Sequence, residues 1–299
     1  MDAIVTRELC KSYGRTEVLQ RVNLRVPAGS LFGFLGPNGS GKTTTIRVLL
    51  GLLRASAGQA HVLGQDVWRA GPRLRAQVGY LPGDVRFYEH LTGRATLAFL
   101  DAARRARAKK EIGRLAERFA LDLDIRVRNY SRGMKQKLGL IQALMHRPQL
   151  IVLDEPTTAL DPLVLQTLNE ELRAVVHDGR TVLFSSHTLS EVQALCDHVA
   201  ILRAGHLVER DTIAKLQRQA LRHVEIRFAG EPVPTSWPAG LTVTERRDTR
   251  LGGTWAGPVD PLLRWLAAQR VEDVTIGAPD LEDLFLAYYS TAAPLETRP

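Results

Sequence analysis

A glycine-rich segment that ends in a lysine and a threonine carries the strongest chemical signal in the sequence. Its letters, GPNGSGKT, run from Gly36 to Thr43 and match the pattern G-x-x-x-x-G-K-[ST]. An apolar run, Leu31–Leu35, precedes the segment, and a helical pattern that starts at Thr44 follows it. Glycines let backbone N–H groups converge on phosphate oxygens, and the N-terminus of the next helix adds partial positive charge. The pattern therefore predicts a loop that binds nucleotide phosphates.

Two residues of this loop have individual expected roles. Lys42 is expected to reach the β- and γ-phosphates, and the Thr43 hydroxyl is expected to bind Mg²⁺. A glycine-rich turn with an incidental lysine would give the same letters, but the flanking strand and helix favour the phosphate-binding interpretation. The other predicted nucleotide-binding positions of the segment are Gly36, Pro37, Asn38, Gly39, Ser40, Gly41 and Thr44.

Two adjacent carboxylates follow the apolar run Leu150–Leu153. A strand that is buried in a parallel sheet delivers the residues at its carboxyl end to the ligand crevice. Asp154 is therefore expected to bind Mg²⁺ or its water, and Glu155 is the candidate general base for attack of water on the γ-phosphate. His187 follows a second apolar run, Thr181–Ser185, and we assign it a catalytic role because of these neighbours.

These motifs lie in a chain that alternates short apolar runs with longer helical patterns, which predicts an α/β domain over residues 1–220. Residues 95–120 are rich in Ala, Arg and Leu and predict a helical insertion. Residues 221–299 predict a small α+β domain of order β-β-α-β-α. The predicted strands of the first domain are Leu31–Leu35, Val78–Leu81, Leu150–Leu153, Thr181–Ser185 and His198–Leu202. The predicted elements of the second domain are strands Val224–Phe228, Leu241–Thr244 and Val271–Ile276, and helices Pro261–Gln269 and Leu281–Tyr289 with Asp260 and Asp280 as N-caps.

Composition limits the class of protein. The chain has 299 residues, 44% of them hydrophobic, and two cysteines, which excludes a disulfide-stapled or zinc-stapled miniprotein and wholesale disorder. No run approaches the length of a membrane span and no secretory signal is visible, so we expect a cytosolic globular protein. Residues 1–220 carry a net charge of +11, which by itself fits nucleic acid, an anionic membrane surface or an anionic substrate equally well.

The segment YSRGMKQ, from Tyr130 to Gln136, makes the pattern more specific. Together with the preceding motifs it resembles the ATP-binding subunit of ABC transporters over about residues 3–215, and it is similar to the signature motif of that family. The resemblance implies that Ser131, Gly133 and Met134 contact the γ-phosphate of ATP held by a second cassette. It implies a P-loop NTPase cassette with a RecA-like core, an antiparallel β-subdomain and a helical subdomain near residues 84–148.

Other positions match the family one by one. Tyr13 resembles the aromatic residue that stacks on adenine, and His187 corresponds to the switch histidine that contacts the γ-phosphate. Asp161 resembles the D-loop aspartate at the dimer interface, and it also has the pattern of an N-cap before Pro162.

Two positions depart from the family pattern. The Q-loop glutamine is replaced by Gly83, which has no side chain to offer Mg²⁺ or water, so that contact is either lost or taken over by Asp84. Arg132 stands where the signature usually has a glycine. The Y-S-x-G-M variant and the tail at 279–288 are similar to those of exporter ATPases of the ABC-2 class.

The resemblance implies an ATPase that drives a separate transmembrane permease, with export favoured over import, at the cytoplasmic face of the cell membrane. It implies ATP and Mg²⁺ as cofactors and two copies of the cassette, in a homodimer or in a heterodimer with a related chain. The alternative is a soluble ABC-type ATPase that acts on nucleic acid or ribosomes. We do not favour nucleic acid, because the chain has one cassette, no long coiled coil, and acidic residues interspersed in its basic helix. A GTPase would need an N-K-x-D loop, which the sequence lacks.

Overall fold

The structure is a computed structural model that describes residues 1–230, 232–280 and 285. It divides the chain into two compact units, Met1–Arg210 and Asp211–Pro299. The sequence placed the boundary after residue 220. Among the described residues, no helix is both long enough and apolar enough to span a membrane.

Strands and helices alternate along the first part of the chain. The strands are β1 (Asp2–Tyr13), β2 (Thr16–Val22), β3 (Arg25–Pro27), β4 (Leu31–Leu35), β5 (Ala57–Val62), β6 (Gln65–Asp66), β7 (Val78–Leu81), β8 (Leu150–Asp154), β9 (Thr181–Ser186), β10 (His198–Arg203) and β11 (His206–Thr212). The helices are α1 (Lys42–Leu49), α2 (Val67–Ala70), α3 (Pro72–Ala76), α4 (Gly93–Arg104), α5 (Lys109–Arg118), α6 (Arg132–Leu144), α7 (Pro162–His177) and α8 (Leu189–Leu195), with a 3₁₀ turn at Val127–Asn129.

A six-stranded sheet of order β11-β10-β4-β9-β8-β7 carries all five predicted strands of the first unit. The pairs β10/β4, β4/β9, β8/β9 and β7/β8 are parallel, and every residue of β4, β8 and β9 is buried. Burial on both faces explains why these strands are apolar throughout instead of alternating. Because the strands are parallel, the carboxyl ends of β4, β8 and β9 meet at one edge of the sheet.

A second sheet, of order β2-β1-β5-β6 with β3 also paired to β1, is antiparallel. One hydrophobic core joins it to the parallel sheet and to α1, with Ile4, Leu24, Phe34, Ile46 and Leu183 among its fully buried members. These two sheets and α1 place the glycine-rich loop between rigid elements.

The helical insertion predicted at 95–120 is confirmed as helical, but it forms two helices rather than one. The chain turns between α4 and α5, where Arg105 and Arg107 have φ of 55° and 56°. This left-handed conformation interrupts the helical hydrogen-bond ladder. Helices α4, α5 and α6 contact one another.

A buried carboxylate links α5 to α7. Glu171, whose side chain is 8% exposed, accepts hydrogen bonds from Arg114 at 2.7 and 2.9 Å and from Arg118 at 2.9 Å. Burial alone would raise the pKa of Glu171, but the hydrogen bonds from the two guanidinium groups outweigh it, so the pKa is lowered. The neighbouring Glu170 is half exposed, pairs with Arg118 and accepts a hydrogen bond from Gln166 at 3.4 Å.

We expect Glu171→Gln to destabilise the protein by about 2 kcal/mol at pH 7, since it removes charge-assisted hydrogen bonds from a buried site. A lowered folded-state pKa stabilises the protein above the unfolded-state pKa, and this stabilisation is lost as the pH falls through the folded-state value. The gap between wild type and Glu171→Gln should therefore shrink in acid. Urea unfolding of both proteins, with Glu170→Gln as the exposed control, measures it. Equal losses in the two variants, or a gap independent of pH, would contradict the assignment.

The second unit is built on an antiparallel sheet of order β13-β14-β12-β15. A small core that includes Val224, Phe228, Trp255 and Leu262 packs between the sheet and the helix that follows its third strand. The elements are α9 (Ile213–Gln219), β12 (Leu221–Phe228), β13 (Leu241–Arg247), β14 (Arg250–Trp255), α10 (Asp260–Ala267) and β15 (Val271–Asp280).

The predicted order of this unit lacked one strand, and one predicted helix N-cap was wrong. Strand β14 was missed because its letters, RLGGTW, contain two glycines, which are depleted in strands. Helix α10 begins at Asp260 itself and has Val259 as N-cap, so Asp260 is not the cap. The predicted helix Leu281–Tyr289 lies outside the described residues, and β15 runs on to its predicted cap, Asp280.

Candidate nucleotide-binding site

The glycine-rich loop joins β4 to α1 at the carboxyl edge of the parallel sheet. The N–H of Gly36 donates to the Ser186 carbonyl at 3.3 Å, which ties the loop to the end of β9. A Cβ atom at Gly36 would lie 2.3 Å from the Leu202 carbonyl oxygen, so only glycine fits there. Gly41 is the N-cap of α1 with φ of 107°, a conformation that glycine adopts readily. Packing and backbone geometry together therefore require glycine at both ends of the loop.

Lys42 is buried inside its own loop, with 5% of its side chain exposed. Its Nζ donates to the carbonyl oxygens of Gly36, at 2.6 Å, and Pro37, at 3.2 Å. Burial lowers the pKa of Lys42, and the charges of Glu155 and Asp154 oppose that shift. The ammonium group is therefore already desolvated and positioned within the loop that would receive the phosphates.

Thr43 and Asp154 form the predicted metal-binding pair. The Thr43 hydroxyl donates to Asp154 Oδ2 at 2.8 Å, and the Ser185 hydroxyl donates to Asp154 Oδ1 at 2.6 Å. Asp154 is 1% exposed. A carboxylate and a hydroxyl are the hard oxygen ligands that Mg²⁺ takes, usually together with waters and phosphate oxygens. The two residues thus fit a magnesium ion at this edge.

Glu155 follows Asp154 directly and reaches the loop lysine. Its Oε1 is 3.6 Å from Lys42 Nζ and 3.5 Å from His187 Nδ1. Its backbone has φ of 50°, a conformation that is rare for a residue other than glycine, and its N–H donates to the Ser185 hydroxyl at 3.1 Å and to the Ser185 carbonyl at 3.2 Å. The side chain is 28% exposed, so the carboxylate is oriented and still accessible to water.

The signature-like segment opens α6 as predicted from its letters. Ser131 is the N-cap and accepts a hydrogen bond from the Met134 N–H at 3.1 Å. A Cβ atom at Gly133 would lie 2.7 Å from the Ala159 carbonyl oxygen, so the helix start packs closely on the loop after Glu155. Asp161, in the same loop region, caps α7 by accepting from the Val164 N–H at 3.0 Å.

The structure does not bring every predicted residue to this group. The carboxylate of Asp84 is 75% exposed and pairs with Arg86 at 2.7 Å. Gly83 lies beside the Thr43–Asp154 pair, because a Cβ there would be 3.8 Å from Asp154 Cγ. Tyr13 is at the end of β1, 48% exposed, with Lys11 Nζ 5.1 Å from its ring centroid.

Several loop residues have different surroundings. Asn38 and Gly39 are exposed, whereas Thr44, near the start of α1, is half-buried. Ser40 is 3% exposed, and its hydroxyl has no hydrogen-bond partner among the described residues. A buried hydroxyl without a partner is costly, and a phosphate oxygen would satisfy it.

Two residues that sequence reasoning left without a role belong to this site. Ser185 contacts both acidic residues because its register partner in the sheet is Asp154. Gln136 is buried in α6 and donates from Nε2 to the Pro156 carbonyl at 2.9 Å, linking the signature helix to the loop after Glu155. The polar residue at the end of a buried strand was the available signal for Ser185.

Comparison with known proteins gives consistent matches. The family described as ABC transporter matches residues 19–158. The chain is 34% identical over 231 residues to the bacitracin transport ATP-binding protein BcrA of Bacillus licheniformis, covering 76% of each. It is 33% identical to the daunorubicin/doxorubicin resistance ATP-binding protein DrrA of Streptomyces peucetius, covering 99% of this chain and 94% of that one. A solved ATP-binding subunit of an ABC transporter superposes with a TM-score of 0.68 at 29% identity, covering 72% of this chain and 92% of that one.

Proposed function

Because this chain belongs to the family of ABC transporter ATP-binding subunits, we propose that it hydrolyses ATP in a dimer that drives a separate membrane permease in export. One observation supports this proposal above the others. Four residues from two motifs that are distant in the chain converge at one sheet edge. Thr43 lies within hydrogen-bond distance of Asp154, and Lys42 lies within ion-pair distance of Glu155.

The arrangement assigns each group a part in hydrolysis. Lys42 would exchange the carbonyl oxygens of its loop for phosphate oxygens, and the loop N–H groups would bind the remaining phosphate charge. Mg²⁺, held by Thr43 and Asp154, would neutralise part of the charge on the β- and γ-phosphates. Glu155 would accept a proton from the attacking water, and His187, beside the same carboxylate, would contact the γ-phosphate.

The second half of each site would come from another copy of the chain. At the start of α6 the Met134 N–H donates to the Ser131 hydroxyl. The first N–H groups of a helix have no intrahelical acceptor and attract anions. In a two-fold dimer each glycine-rich loop would face the partner's Ser131–Met134 segment, and Asp161 would lie near the interface. ATP would then close the dimer, and hydrolysis would reopen it.

Mixing two inactive variants tests this composite site. Lys42→Ala damages the loop, and Gly133→Asp damages the signature segment by adding bulk and negative charge where Ala159 lies close. A two-fold heterodimer of the two variants has one site with both defects and one intact site, so we expect the mixture to recover about a quarter of wild-type ATPase activity. Each variant alone should be inactive.

The outcome that contradicts a composite site is clear. If the mixture stays as inactive as its components while the two chains form mixed dimers, the sites do not share residues across the interface. Wild-type chain mixed with either variant serves as the control for exchange of subunits.

The direction of transport rests on the relatives. The curated proteins that match most of this chain carry names for bacitracin transport and daunorubicin/doxorubicin resistance, which supports export of a toxic compound. A membrane-spanning permease on another chain would hold the cargo site, so this subunit would lie at the cytoplasmic face of the membrane.

A further inference from the structure

A cluster of exposed arginines with one tryptophan lies at the end of α1 and on the short helices α2 and α3. We call it the Arg–Trp surface and define it as Leu52, Arg54, Trp68, Arg69 and Arg73, all of which are exposed. The chain from residue 47 to residue 82 contains five arginines and one aspartate, a net charge of +4. The surface is therefore both basic and partly apolar.

Contacts hold the members of this surface together. The Arg54 guanidinium lies over the Trp68 ring, 5.4 Å from its centroid. The backbone of Gly51, next to Leu52, packs against the Val67 carbonyl, which would be 2.7 Å from a Cβ at Gly51. Two apolar side chains remain open to solvent here, with Leu52 56% and Trp68 53% exposed.

The three arginines of this surface have no acidic partner among the described residues. Within the described part of the chain, no carboxylate pairs with Arg54, Arg69 or Arg73. The one aspartate nearby, Asp66, caps α2 by accepting from the N–H groups of Trp68 and Arg69 at 3.1 and 2.8 Å. By contrast, Arg94 and Arg264, which are also exposed, are each bound to an aspartate. The positive charge of the surface is thus left for an external partner.

We propose that the Arg–Trp surface binds the anionic headgroups of a membrane. Arginines near such a surface are attracted by its negative potential, and tryptophan prefers the interface because its ring is apolar and its N–H is polar. Nucleic acid fits less well. Binding of a single strand needs open aromatic faces for base stacking, whereas one face of Trp68 is covered by Arg54, and an exposed leucine has no role on a phosphate backbone.

This inference goes beyond the proposed function and does not need it. A headgroup contact would orient the subunit on the bilayer independently of ATP and of a permease, so binding to protein-free vesicles is a direct assay. Hydrolysis is measured separately, and its outcome leaves the vesicle result unchanged.

The test is cosedimentation of the full chain with phosphatidylglycerol vesicles and with phosphatidylcholine vesicles. We expect binding to phosphatidylglycerol that weakens steeply with salt, and none to phosphatidylcholine. Each arginine replaced by glutamine should weaken binding about fivefold, and the triple variant of Arg54, Arg69 and Arg73 about a hundredfold. Trp68→Ala should weaken it roughly five- to tenfold.

Matched controls separate this surface from net charge and from general exposure. Arg94→Gln/Arg147→Gln/Arg264→Gln removes the same charge elsewhere, and Phe99→Ala removes an equally exposed aromatic ring. Both controls should bind vesicles as wild type does. Equal binding to the two lipids, or equal losses in the triple variant and its control, would overturn the proposal. The proposal would also be overturned if the wild-type chain did not bind vesicles but bound RNA in a salt-dependent way, or bound the permease, and the triple variant lost that binding.

Discussion

Glu155→Gln should bind ATP with near wild-type affinity and hydrolyse it about a thousandfold more slowly, as expected when a general base is removed. Glutamine keeps the size of the side chain but cannot accept the proton of the attacking water. The positive φ of Glu155 and its N–H bonds to Ser185 involve the backbone, so the substitution should leave the local geometry intact. Single-turnover hydrolysis together with nucleotide affinity measures the two effects separately.

The same variant should accumulate as a dimer in the presence of ATP, because the hydrolysis that would reopen the closed dimer is blocked. Glu170→Gln, on the exposed face of α7, is the matched control and should keep wild-type turnover. Hydrolysis by Glu155→Gln within a few-fold of wild type would show that another group activates the water, and His187, 3.5 Å from the carboxylate, would be the next to test.

Lys42→Ala should weaken ATP binding by about a hundredfold, a loss typical of removing a charge-assisted contact from a desolvated site. The lysine is held by the Gly36 and Pro37 carbonyl oxygens, so its ammonium group is in place before the nucleotide arrives. The substitution also leaves Glu155 with one cationic neighbour fewer. Calorimetric titration with ATP at fixed salt measures the affinity.

Lys110→Ala, on an exposed position of α5, removes the same charge away from the loop and should bind ATP as wild type does. Urea unfolding should give similar stabilities for wild type and Lys42→Ala, because burial of the lysine charge already costs the folded state free energy. An affinity of Lys42→Ala within threefold of wild type would mean that the loop binds phosphate through its backbone alone.

Much of the candidate site was predictable because its signals are local. The glycine-rich loop, the acidic pair and the histidine each follow a short apolar run that is buried as a strand. The family resemblance added roles for Tyr13, Ser131 and Asp161 that composition could not supply. Prediction failed where the letters were ambiguous. The two glycines of β14 argue against a strand, and the strand forms because it pairs with β13 on one side and β12 on the other.

The sequence by itself determined the family and the α/β class of the cassette, and it named the candidate nucleotide-binding groups. Only the tertiary structure decided how distant groups pair. The Thr43–Asp154 hydrogen bond joins residues 111 positions apart, the Asp154–Ser185 contact depends on the register of β8 on β9, and Asp84 pairs with Arg86. Periodicity and propensity describe interactions within a few residues, whereas register, packing and side-chain pairing are settled by the free energy of the whole fold.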